Sequence, residues 1–81
     1  MALIDRALMV SDNIALIGHI GSANDFQIEA VSMADTNKRC LVRFKDIAVL
    51  RSNMTKSLQD RSIRAIKRNY DLIIEVAKEK H

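Results

Sequence analysis

At 81 residues the chain has room for one domain, residues 1–81, and no second core. Its 48% hydrophobic and 28% charged residues fall in the ordinary globular range, which excludes an unstructured tail. The only cysteine, Cys40, excludes an internal disulfide and fits a reducing compartment.

The first ten residues carry Asp5 and Arg6 inside an apolar stretch, so they lack the basic start and unbroken apolar core of a signal peptide. No run approaches the roughly 18 apolar residues of a membrane span. The expectation is a soluble, cytoplasmic protein with no membrane partner. Within residues 2–10, Leu3, Ile4, Ala7 and Leu8 fit a short helix, whereas Leu8 and Val10 before Ser11-Asp-Asn13 fit a strand and tight turn. Ile14–Ile20 follows as a strand, then a loop at residues 22–25. Residues 26–33 alternate Phe26, Ile28 and Ala30 with Gln27 and Glu29; residues 40–44 alternate Cys40, Val42 and Phe44 with Leu41 and Arg43. Turn chemistry at residues 35–38 joins these two as a hairpin. A further short strand is expected at residues 47–50, after a Lys45-Asp46 turn.

From about residue 52 the period becomes helical. Ser57 followed by Asp60 resembles a capping box, with Ser52 and Asn53 as earlier starts, and nothing up to residue 80 breaks a helix. Steps of 100° place Arg61, Arg64, Lys67, Arg68, Asp71, Glu75, Lys78 and Glu79 on one polar arc. Opposite lie a main stripe (Ile63, Ile66, Tyr70, Ile73, Ile74, Ala77) and a second stripe (Leu58, Ala65, Leu72, Val76). Together they cover roughly 200°, wider than the ~100° one core face needs. The second stripe is the expected homo-oligomer interface. The expected class is α+β: a small antiparallel β-meander or SH3-like barrel over residues 1–51, then one long C-terminal amphipathic helix over residues 52–81.

The net charge of +3 is unevenly distributed. Residues 38–68 hold ten Lys/Arg against Asp46 and Asp60, a local net of +8, and the rest of the chain nets −5. That segregation suits a polyanion-binding surface.

The meander, with turns near Asp12, Asn24, Thr36 and Lys45, resembles the Sm-like (Sm, LSm and Hfq) small barrels over residues 6–51. Gly18 and Ile20 look like that family's second-strand pair, Asn24-Asp25-Phe26 like its following loop and third strand, and Val42-Arg43-Phe44-Lys45-Asp46-Ile47 like its closing motif. Ile28 stands where the family carries its base-reading asparagine, and Phe44 where it carries a glycine after the arginine. The resemblance implies a ring of six or seven copies that handles single-stranded RNA. Ile17-Gly18-His19-Ile20-Gly21 is also similar to the nucleotide-clamping GxxG loop of KH domains, without the basic residues usual between the glycines.

Catalytic chemistry is not expected. His19 and Cys40 cannot supply a zinc ligand set, and no phosphate loop or nucleophile elbow occurs. Cys40 shares the apolar row of Val42 and Phe44, where a thiol is inert. No cofactor is implied. For RNA or another polyanion the candidate contacts are Arg43 and Lys45 beside the closing turn, Asn24 through its amide, and Phe26 as a stacking face, which core packing would explain as well. Arg61, Arg64, Lys67 and Arg68 offer phosphate contacts from the helix. Regulatory RNA binding by a homo-oligomer is the leading expectation. The rival is a small inhibitor or adaptor, of the kind phages and mobile elements encode, that meets a protein partner through the wide apolar helix face.

Overall fold

The computed structural model describes residues 7–20 and 26–80. Five strands, β1 (Met9–Ser11), β2 (Ile14–Ile20), β3 (Phe26–Ser32), β4 (Arg39–Arg43) and β5 (Ala48–Ser52), precede two helices, α1 (Lys56–Arg68) and α2 (Tyr70–Lys80). The strands form one antiparallel sheet in the order β1-β2-β3-β4-β5. The class is α+β, and the sheet is an open meander whose edges are β1 and β5. The strand alternative for the N-terminal segment applies at Met9 and Val10; residues 2–6 and the loop at residues 22–25 lie outside the described residues.

Local chemistry accounts for the turns. Asp12 (φ 54°) and Asn13 (φ 62°) take the left-handed pair of a two-residue hairpin turn, which their short polar side chains tolerate. Between β3 and β4, the Asp35 carboxylate accepts from the Asn37 amide at 3.1 Å, and the Asp35 carbonyl accepts from the Lys38 amide at 2.9 Å. In the β4–β5 connection Ile47 is held at φ 51°, a costly conformation for a β-branched residue, while its side chain packs against the core. A register shift pairs Leu41 with Arg51 but Val42 with Val49, leaving Leu50 as a bulge on the edge strand.

Strand alternation gives the sheet two faces. Ile14, Leu16, Ile28, Ala30, Cys40, Val42 and Phe44 form one core with Ile66 of α1 and Ile73 of α2. On the outer face, Ala7, Ala15, Ile17 and Val31 make a smaller cluster with Met33 packed against it. Gly18 sits where a Cβ would come within 3.1 Å of both Leu8 Cδ1 and Phe26 Cε1, so its bare backbone makes room for the Phe26 ring.

The single long helix expected from the periodicity is two helices. A straight run of 25 residues would measure about 37 Å, against 30 Å for the longest dimension of the fold. The break is at Asn69 (φ −105°, ψ 17°), whose Nδ2 donates to the Ala65 carbonyl at 2.8 Å. That carbonyl also accepts from the Asn69 amide at 3.2 Å. Side-chain capture of a helical carbonyl is how asparagine ends helices without glycine or proline. The cap at the other end also differs from the expected Ser57 box. Thr55 Oγ1 accepts from the Leu58 amide at 3.3 Å, and α1 starts at Lys56. Its 13 residues span about 20 Å, and four strand-to-strand steps measure about 19 Å. Beginning beyond β5, α1 therefore reaches the β1–β2 turn, where Arg68 meets Asp12 at 3.3 Å.

Asn53 fastens the exit of β5 to the β3–β4 turn. Its Oδ1 accepts from the Arg39 amide at 2.7 Å and its Nδ2 donates to the Asn37 carbonyl at 2.7 Å. Asn53→Ala is expected to lower stability by about 1–2 kcal/mol in urea denaturation; a variant as stable as the parent would rule out the clamp. Cys40 is fully buried, and burial pushes its thiol above the ordinary value, against a smaller opposing contribution from a Ser52 hydrogen bond. At pH 8 the folded protein should resist alkylation of this thiol and urea-unfolded protein should react fully, which mass spectrometry would read.

Candidate nucleic-acid interface

The basic residues of the 38–68 segment lie on two opposite sides of the fold. In β4, Cys40 and Val42 turn into the core, so Arg39, Leu41 and Arg43 take the outer face of the sheet. Arg51 is paired with Leu41 and shares that face. In α1, Ser62, Ala65 and Ile66 are buried. Arg61, Arg64, Lys67 and Arg68, three or four positions apart, are exposed on the side away from the sheet.

The two surfaces differ in how far their charge is neutralised. On the sheet, Arg39 Nη1 meets Glu29 Oε1 at 3.3 Å and its Nε donates to the Thr36 carbonyl at 3.1 Å. Glu29 also lies 3.5 Å from His19 Nε2. Arg43 forms a fork with Asp46, Nε to Oδ1 at 3.0 Å and Nη2 to Oδ2 at 2.8 Å. Lys45, in the same turn, is exposed and makes no ion pair among the described residues. On the helix, Arg68 is tied to Asp12, whereas Arg61, Arg64 and Lys67 make no ion pair among the described residues. Lys67 and Arg68 also occupy the last turn of α1, where cations complement the helix dipole.

Of the contacts expected for RNA, Asn24 lies outside the described residues. Phe26 is half-buried: its ring stands edge-on to Phe44 at 5.4 Å and 77°, and Phe44 stacks on Tyr70 at 4.3 Å and 12°. The three aromatic rings of the chain thus form one column that joins β3, β4 and α2. Phe26 and Tyr70 are half-buried against the core and Phe44 is buried, so Phe26 takes part in core packing, the alternative reading of its position. The stripe expected at an oligomer interface is divided. Ala65 is fully buried and Leu58 packs against the chain's own core, Val76 is half-buried, and Leu72 alone is mostly exposed, at 52%.

Arg39 and Arg51 belong to the basic 38–68 segment but were not among its individually expected contacts, and Asn53 was expected as a helix start rather than a clamp. The strand was expected to end at residue 50, which left Arg51 off its face, and the Asn53 clamp depends on a contact across 14 residues. The alternation of β4, carried one residue earlier, would have added Arg39.

Among the described residues no group of three or more His, Cys, Asp or Glu could share a metal ion. No helix among them is long and apolar enough to cross a membrane. No protein-family profile, curated protein or solved structure matches the chain.

The Arg43 fork holds the Asp46 carboxyl below its ordinary value of 3.8. A carboxyl with a lowered folded-state value favours the fold above its unfolded value and loses that contribution as pH falls through the folded one. In an NMR titration the Asp46 midpoint should lie below 3.8 and move up toward it in Arg43→Ala. An identical midpoint in both proteins would mean the fork is absent in solution.

Proposed function

We propose that this chain is a non-enzymatic, homo-oligomeric nucleic-acid-binding module with a regulatory role, favouring RNA over DNA. The observation that carries the reading is the solvent face of α1. Arg61, Arg64 and Lys67 project from it with no acidic partner among the described residues, while Arg39 and Arg43 on the sheet are paired with carboxylates. A row of unneutralised cations over two helical turns, about 9 Å from first to last, suits successive phosphates of a polynucleotide. Binding of this kind is largely independent of base identity. Lys45, exposed and without an ion pair among the described residues, and Arg43, which is paired with Asp46, would add phosphate contacts at the β4–β5 turn. The preference for RNA rests on the Sm-like strand spacing, as does pairing of the sheet edges β1 and β5 between copies, the route by which a closed ring or barrel-like assembly would form.

The test is fluorescence anisotropy with a labelled single-stranded oligoribonucleotide across a salt series. The Arg61→Ala/Arg64→Ala/Lys67→Ala variant is expected to bind more than tenfold more weakly. Its plot of log affinity against log salt should be shallower by about 2, since each phosphate contact on a single strand contributes about 0.7 to that slope. Equal affinity and slope for parent and variant would overturn the assignment.

A protein-binding adaptor is the second reading, favoured by Val49 and Leu50 exposed on the edge strand β5 and by Leu72 exposed on α2. Its mark is a stoichiometric protein complex that persists through nuclease treatment and high salt. The wide helix face first expected to carry such a contact is mostly turned into the chain's own core.

A further inference from the structure

We propose that the outer face of the sheet carries a second binding site, between Arg39 and Arg51, for the phosphate monoester of a mononucleotide-class ligand. A depression of about 250 Å³ opens there, lined by Glu29, Arg39, Leu41, Arg51, Ser52 and Asn53. The strand register builds it. Leu41 lies between Glu29 of β3 and Arg51 of β5, and Arg39 stands two residues along β4 on the same face. The half-buried Leu41 therefore forms an apolar floor, with one guanidinium at each of two corners.

The two arginines are prepared differently. Arg39 is held in place, Nε to the Thr36 carbonyl at 3.1 Å and Nη1 to Glu29 at 3.3 Å, and its Nη2 makes no hydrogen bond among the described residues. The Arg51 side chain is exposed and makes no hydrogen bond or ion pair among the described residues. Asn53 forms a rigid wall, since both ends of its amide are committed to the backbone of Arg39 and Asn37. A preset guanidinium beside an unengaged one is an arrangement suited to a tetrahedral oxyanion, which Arg51 can meet with paired N–H donors and Arg39 through Nη2.

Charge and size narrow the ligand. Two arginines against Glu29 leave one net positive charge, suited to a single phosphoryl group rather than to a run of phosphates. The volume is below the roughly 300–1,000 Å³ of sites for drug-sized molecules, so it admits a phosphoryl group with one attached ring or sugar resting on Leu41. The site is on the side of the sheet away from α1 and is independent of RNA binding by that helix.

The experiment is an NMR titration of the ¹⁵N-labelled protein with adenosine 5′-monophosphate, and in parallel with adenosine and with inorganic phosphate. The nucleotide should give saturable shifts centred on residues 39, 41, 51 and 53, phosphate weaker shifts at the same residues, and adenosine none. Arg51→Ala should weaken nucleotide binding by about tenfold or more, Arg51→Lys by less, and both should keep the parent spectrum elsewhere, since the strand pairing of residue 51 with Leu41 runs through the backbone and its side chain makes no hydrogen bond or ion pair among the described residues. The Arg61→Ala/Arg64→Ala/Lys67→Ala variant should bind the nucleotide as the parent does, whether or not it has lost RNA. Shifts centred on α1, adenosine binding equal to that of the nucleotide, or full affinity in Arg51→Ala would each overturn the proposal.

Discussion

Everything in this fold depends on covering the inner face of a sheet that does not close on itself. Ile14, Leu16, Ile28 and Val42 would stand in water if the chain stopped at β5. In the folded chain all four are fully buried, with Ile66 and Ile73 pressed against them. Each such side chain contributes on the order of 1.5–3 kcal/mol when fully buried, a large share of the stability available to so short a chain. The helices are therefore the second layer of the only large core among the described residues. The break at Asn69 follows from the same constraint, because a straight helix longer than the sheet is wide would carry half its apolar residues past the surface they have to cover.

That packing also decides where the charge goes. Sheet and helices share one core, so the polar side of each points away from the other. Arg39, Arg43 and Arg51 go to the outer face of the sheet, and Arg61, Arg64 and Lys67 to the far side of α1. A segment that reads as one block of positive charge becomes two surfaces with different chemistry. On the sheet, carboxylates stand within reach because antiparallel neighbours bring Glu29 beside Arg39 and a tight turn brings Asp46 beside Arg43. On α1 the exposed Asp60 makes no ion pair among the described residues, and Arg61, Arg64 and Lys67 stay unpaired. Extended phosphate contact is a natural use of the second surface, and a small, shaped oxyanion site of the first.

The edges of the sheet add a third element. β1 has three residues with Val10 exposed, and β5 presents Val49 and Leu50 beside a bulge and next to the charged Arg51. Short length, a bulge and a nearby charge are the usual means by which a sheet limits unplanned strand addition. They leave room for pairing with a partner of matching register, which is how the chain would assemble if it forms oligomers through its sheet.

The order and type of most elements were legible in the linear chain. Period-two alternation marks β2, β3 and β4, Asp12-Asn13 and residues 35–38 carry the chemistry of their turns, and the shift to a helical period after β5 is plain. Those features are local: they depend on which residues stand two, three or four positions apart, and a strand or helix imposes that spacing whatever surrounds it. Cys40 was readable as a core residue for the same reason, since its neighbours in the alternation are Val42 and Phe44. Where contacts join distant residues, only the tertiary structure could decide. Phe26 became part of an aromatic column because Phe44 arrives beside it from 18 residues away and Tyr70 stacks on Phe44 from a further 26. Ala65 and Leu58 face the chain's own core because α1 lies flat across the sheet. Asn69 ended a helix that no glycine or proline interrupts, since its amide could take the Ala65 carbonyl while the turn brought α2 back over the core. The number of cations is written in the sequence; which of them meet a carboxylate depends on strands and turns that bring together residues far apart in the chain.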